Sequence, residues 1–222
     1  MQKIIIMIMM IAVSPLAWSQ GTFRYGTDER AGEWNLAIEA IYQGSESSSG
    51  TNGSGLSIDD DWGFGFMINY NFTNHLALGF DMSFLKPRYE ATFATEDAGL
   101  QTISHKLSIF NGQLKGTYNI LEGPLTPYID VALGWTSVDS NITDGPPTTG
   151  CWWDPWWGFV CRNFYSTYSD SAWTYGGGLG VRWDVSRDVF LRASYNVLVM
   201  DLSGPSNLDQ FNMGRLEIGW RY

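Results

Sequence analysis

Cysteine, histidine and basic charge are all scarce in this 222-residue chain. There are two Cys, two His, and 13 Lys and Arg against 23 Asp and Glu. A formal charge of -10 excludes a nucleic-acid partner, which needs basic patches. Two histidines and no His beside either Cys leave little for a metal centre, and no cofactor or metal is expected. His105, with Ser104 and Ser108 nearby, is the one place to look for hydrolytic chemistry. Its spacing matches no His-x-Ser arrangement, so catalysis is not expected. Long apolar runs are missing too. After Val13 no stretch could cross a bilayer as a helix. The run 4–13 itself follows Lys3 and precedes Pro15 and Ala17-Trp18-Ser19, which predicts a signal peptide over 1–19, cut before Gln20. No Cys follows that cut, so a lipid anchor is not expected.

Aromatic residues and glycine are abundant: Trp 11, Tyr 11, Phe 12 and Gly 25. That balance favours an all-β chain. At the C-terminus Leu216, Ile218, Trp220 and Tyr222 fall on one phase of a period of two, with Arg215, Glu217, Gly219 and Arg221 on the other. Side chains alternate across a strand, so the segment has one apolar and one charged wall. The same two-phase pattern recurs upstream and predicts eight strands, over about 33–43, 61–71, 75–84, 105–119, 127–138, 170–184, 188–200 and 214–222. Phase is least clean in the fourth.

The connections alternate. Those near Thr73-Asn74, Gly123-Pro124 and Ser186-Arg187 are short. Those at 44–60, 85–104, 137–169 and 201–210 are long and read as loops, with 89–93 a possible hairpin extension. An even strand count with short turns at one rim and long loops at the other predicts a transmembrane barrel. Ten residues at about 3.3 Å each, tilted about 45°, span roughly 23 Å, the height of an outer-membrane apolar band.

A soluble barrel would alternate as well, and volume separates the two. Eight strands enclose a bore only just wide enough for side chains. One phase is mostly Trp, Phe, Tyr, Leu and Ile; the other is Gly, Ala, Ser and Thr with isolated charges. Only the second fits inside, so the bulky phase faces outward and needs lipid to cover it. Trp34, Tyr70, Tyr118, Trp183, Trp220 and Tyr222 would ring the short-turn rim. Tyr42, Trp62, Phe84, Phe110, Trp135 and Trp173 would ring the long-loop rim.

With Pro127-Tyr128-Ile129, Gly176-Gly177-Gly178-Leu179-Gly180 and the terminal Gly219-Trp220-Arg221-Tyr222, the chain over 33–222 resembles the small eight-stranded outer-membrane barrels, such as the OmpA transmembrane domain, OmpX, OmpW and Opa-like proteins. The resemblance implies an eight-stranded antiparallel transmembrane β-barrel with short periplasmic turns and long extracellular loops. It implies a bacterial outer-membrane location and a periplasmic lead-in over 20–32. Trp220 and Tyr222 would form the signal read by the barrel-insertion machinery, with Tyr222 where Phe is usual. Lipid and lipopolysaccharide would be the immediate partners. A monomer is expected.

Two constellations remain. The inner phase gathers Glu39, Asp81, Asp130 and Glu217 with Lys115, Arg182, Arg192, Arg215 and Arg221. Unpaired charge is costly in a narrow bore, so a paired network is expected, with Lys115 and Asp130 the simplest couple. Such a network reads as a plug; a gated polar path is the other reading. The second is Cys151-Trp152-Trp153-Asp154-Pro155-Trp156-Trp157-Gly158-Phe159-Val160-Cys161. In an exported chain the two Cys predict a disulfide closing a small loop. Trp152, Trp153, Trp156, Trp157 and Phe159 would either pack on the base of that loop, enter lipopolysaccharide, or hold a surface ligand or sugar. The expected function is non-enzymatic: a structural scaffold displaying surface loops for interaction or adhesion. The likeness to OmpW implies the alternative, a narrow passive channel for small or hydrophobic molecules.

Overall fold

The computed structural model describes residues 30–49, 54–95, 99–143, 145–146, 148–164, 166–200 and 210–222. The expected signal peptide and most of the lead-in, at 1–29, lie outside the described residues, as does the loop at 201–209. Fourteen strands are described. Eight form the wall: β1 (Trp34–Gln43), β4 (Asp61–Asn71), β5 (Leu76–Leu85), β8 (Ser108–Asn119), β9 (Leu125–Thr143), β12 (Thr167–Asp184), β13 (Val189–Met200) and β14 (Gln210–Arg221). They close in the order β1-β14-β13-β12-β9-β8-β5-β4, every pair antiparallel. Closure removes the sheet edges, so the wall has no unpaired backbone rim along its height. Trp34 and Tyr222 exchange both backbone hydrogen bonds at 2.9 Å and seal the first strand to the last.

The alternation sorts side chains as volume requires. Phe64, Leu78 and Trp220 are exposed, and so are Ile38, Val131 and Leu179 on neighbouring strands. Inner positions are buried and mostly polar. Glycines make room where inner side chains are large. A Cβ on Gly180 would strike the Tyr128 ring, and one on Gly219 would strike the Phe190 ring. Short turns are tied by hydroxyls: Thr73 Oγ1 accepts from the Leu76 amide at 2.9 Å, and Ser186 Oγ from the Val189 amide at 3.1 Å.

The long connections differ from the expected loops, because they are largely strands. The connection at 44–60 contains β2 (Glu46–Ser49) and β3 (Gly55–Ile58). That at 85–104 is a hairpin of β6 (Arg88–Thr95) and β7 (Gly99–Lys106), longer than the extension expected at 89–93. Together they make a four-stranded sheet in the order β2-β3-β6-β7. Strands β9 and β12 run well past their expected ends, and between them β10 (Thr148–Asp154) pairs with β11 (Gly158–Phe164) as a separate two-stranded sheet. Ser and Thr disguise these segments as loops, yet their alternate positions have partners across the ladder, as in Thr92 and Thr102, whose hydroxyls meet at 2.9 Å.

Candidate functional site: a filled bore and an exposed hairpin

From the short-turn rim upward, the bore is filled in layers. Arg30 lies lowest and is almost fully buried. Its Nη2 stands 2.8 Å from Asp184 Oδ2, and Nε donates to the same oxygen at 2.9 Å. Nη1 and Nη2 also donate to the carbonyls of Leu121 and Gly123, at 3.2 and 2.6 Å, and its backbone amide donates to Asn74 Oδ1 at 2.9 Å. One residue ahead of the first strand therefore joins two short turns and β12 across the mouth. Asp184 also accepts from Arg182 Nε at 2.8 Å, and the Arg182 guanidinium lies 4.2 Å over the Phe190 ring.

Above this, Arg192 pairs with Glu217, its direct cross-strand partner, at 3.2 Å, while its guanidinium covers the Tyr128 ring at 4.1 Å. Glu217 also stands opposite Glu39 across the β1–β14 ladder. Like charges so placed repel; here each carboxylate takes a different arginine, Glu39 accepting from Arg215 Nη1 at 2.9 Å. Arg215 also donates to Asp81 Oδ2 at 2.6 Å, and that oxygen accepts from Lys115 Nζ as well. The pairs are buried on both sides, so one charge left alone would cost several kcal/mol, on the order of 3–5.

One sequence expectation needs correction here. Lys115 pairs with Asp81, not Asp130. The register sets Thr117, rather than Lys115, opposite Asp130, while on the other side Lys115 stands opposite Gly79, with Asp81 the next residue on the same face of β5. Asp130 instead accepts from Asn196 Nδ2 at 2.8 Å. Arg221 lies on the inner phase at the short-turn rim: Nη2 donates to the Ser186 carbonyl at 2.9 Å, and Glu33 lies 3.8 Å away. Glu39, Asp81, Lys115, Asp130, Arg182, Arg192, Arg215, Glu217 and Arg221 are all buried.

The upper bore holds what sequence reasoning missed. Ile41, Leu85, Ile109, Leu198, Met200, Phe211 and Met213 form a buried apolar cluster, completed by Ile58 of β3 and Tyr89 of β6. These residues share the inner phase with the charges but sit nearer the long-loop rim. The four-stranded sheet lays its apolar side over them. Asn141 Nδ2 donates to the Lys106 carbonyl at 2.7 Å and ties that sheet to the extended β9. Arg30 and Asp184 were missed as well. Asp184 shares the inner phase of Arg182 and could have been found by continuing the alternation one step. Arg30 precedes any periodic segment and carries no such signal.

The hairpin of β10 and β11 is built oppositely. Cys151 and Cys161 stand across from each other with Cα atoms 4.1 Å apart and are joined by a disulfide. Trp153 and Phe159 pair on the same face, 72% and 70% exposed. Trp156 and Trp157 at the turn are 85% and 81% exposed. So these four rings do not pack on the base of the loop. Trp152 stands opposite Val160 in the ladder. Asp154 Oδ1 accepts from the amides of Trp156 and Trp157 at 2.8 and 3.0 Å, which fixes the turn.

The histidines lie apart. His75, in a short turn, hydrogen-bonds the Asn119 carbonyl through Nδ1 at 2.7 Å and faces Glu122 at 3.2 Å. His105 is exposed on β7, opposite Tyr89 in the long-loop sheet, and Ser108 Oγ accepts from Asn141. Trp220 and Tyr222 face outward at the seam.

Comparison with known proteins gives the same architecture. A family model described as outer membrane protein beta-barrel domain matches residues 4–221. The fold is similar to that of OprG, an outer membrane protein of Pseudomonas aeruginosa, at a TM-score of 0.53 and 11% identity, covering 88% of this chain and 98% of that one. It is also similar to Neisserial surface protein A, at 0.50 and 18%, covering 86% and 96%. No curated protein sequence matches significantly.

Proposed function

We propose that this chain, which belongs to the outer membrane protein β-barrel domain family and resides in the bacterial outer membrane, is a non-enzymatic scaffold that displays its extracellular β-structure for interaction or adhesion. One observation carries this reading: the bore is filled along its height. Arg30 and Asp184 cross the periplasmic mouth, ion pairs occupy the middle, and the apolar cluster roofed by the four-stranded sheet occupies the extracellular end. A bore so filled offers little room for solute. Among the described residues, what projects beyond the membrane is mostly paired strand, and ordered display lowers the entropic cost of binding.

Lipid and lipopolysaccharide cover the outward rings. The terminal Trp220 and Tyr222 serve as the insertion signal, and a single chain completes the barrel, so the working unit is a monomer. Planar-bilayer recording tests the reading. Wild-type protein is expected to show no large steady conductance, whereas deleting residues 150–162 should abolish surface binding and leave a folded barrel. A steady conductance of the wild type would replace the scaffold with the narrow passive channel.

A further inference from the structure

Resting on the display reading, we infer that the β10–β11 tip is a lipid-anchoring finger whose partner is a zwitterionic phospholipid surface outside the cell. Exposed aromatic tips can bind lipid, sugar or protein, and several features here choose among them. Trp153, Trp156, Trp157 and Phe159 all project from one short hairpin that, among the described residues, forms its own two-stranded sheet. Trp is the side chain best suited to the membrane–water interface, its ring apolar and its N–H able to hydrogen-bond.

Between the two cysteines Asp154 is the one charged residue, and its Oδ1 is already engaged by two backbone amides. A sugar site needs several free hydrogen-bonding side chains around its ring, and this tip does not offer them. Charge narrows the choice of lipid. The long connections in the sequence, 44–60, 86–107, 139–169 and 201–209, contain 11 acidic and 4 basic residues. That excess repels sulfated or phosphorylated polymers and anionic lipid, leaving a zwitterionic surface favoured.

Position selects the source. Trp135 and Trp173 stand opposite each other at the rim of the apolar band. The β9–β12 ladder continues to Thr143 and Thr167, eight residues beyond Trp135. At about 3.3 Å per residue this adds roughly 26 Å of strand before the hairpin begins. The tip thus starts above the acyl level of its own leaflet. The disulfide keeps the two strands paired, which an isolated hairpin in water would not do reliably.

The test uses full-length protein in nanodiscs and added phosphatidylcholine vesicles, read by flotation. Wild-type discs should float with the vesicles, and less with phosphatidylglycerol vesicles. Brominated lipid placed only in the added vesicles should quench Trp fluorescence, since the wall tryptophans cannot reach it. W156S/W157S should weaken vesicle binding about tenfold or more, the loss of two partly buried rings. W156F/W157F should restore most of it. Retained heat-modifiable gel mobility shows that each variant is folded. Equal flotation of wild type and W156S/W157S would overturn the inference. So would quenching seen only when the brominated lipid is in the disc itself, which would return the tip to its own leaflet. If vesicles fail to bind but deletion of 150–162 still abolishes cell attachment, the lipid assignment falls while the display reading stands.

Discussion

The middle of the bore and the tip of the β10–β11 hairpin are opposite solutions. In the bore, Asp81, Arg215, Glu39 and Lys115 are out of contact with solvent and pair with one another. At the tip, Trp153, Trp156, Trp157 and Phe159 are largely exposed to solvent, and Asp154 beside them is used internally. Buried charge demands a partner within the chain, whereas exposed rings leave their partner outside it. The bore therefore reports on stability and the tip on binding, and substitutions should separate the two.

The largest effect is expected from Asp81→Ala, which strands two buried cations. Unfolding in urea, followed by loss of the folded gel band, should show a loss of about 3–5 kcal/mol. Adding Lys115→Ala should restore part of this, because Arg215 keeps Glu39 as a partner. Additive losses would mean that the network is not coupled. Next, replacing Cys151 and Cys161 by Ser should leave the barrel's unfolding unchanged. It should ease local opening of the hairpin by about 2–3 kcal/mol, seen as faster proteolysis near Trp156. Gly180→Ala drives a Cβ into the Tyr128 ring and should cost about 1–3 kcal/mol. Arg30→Ala removes an ion pair but leaves Asp184 with Arg182, so about 1–2 kcal/mol is expected by the same unfolding assay. Smallest of all, W156S/W157S should shift barrel stability by less than about 0.5 kcal/mol, the usual range for surface positions. A large shift there would contradict an unpacked tip.

Much of the wall could be read without coordinates. Phe64 and Phe66 alternate with Gly63 and Gly65 at the period of a strand, and bulk alone decides which set can enter an eight-stranded bore. Strand β4 has the expected bounds for that reason. The long connections were not legible in the same way. Glu46–Ser49 has no apolar phase, and it pairs because β3 lies beside it, held in turn by β6. The apolar plug was hidden because Ile41, Leu85 and Met213 share a phase with charges, and alternation gives the face of a residue but not its height.

Strand number, closure, the outward rings and the inward charges follow from alternation and side-chain volume, both properties of the chain read in order. Which acid meets which base does not. Lys115 reaches Asp81 because the β5–β8 register sets it opposite Gly79, two residues from Asp81 on the same face. Arg30 reaches Asp184 across 154 residues because closure brings the chain's early segment under the barrel mouth. Pairing in a narrow bore depends on the angle and height of each residue around the cylinder, and those are set only when the last strand meets the first.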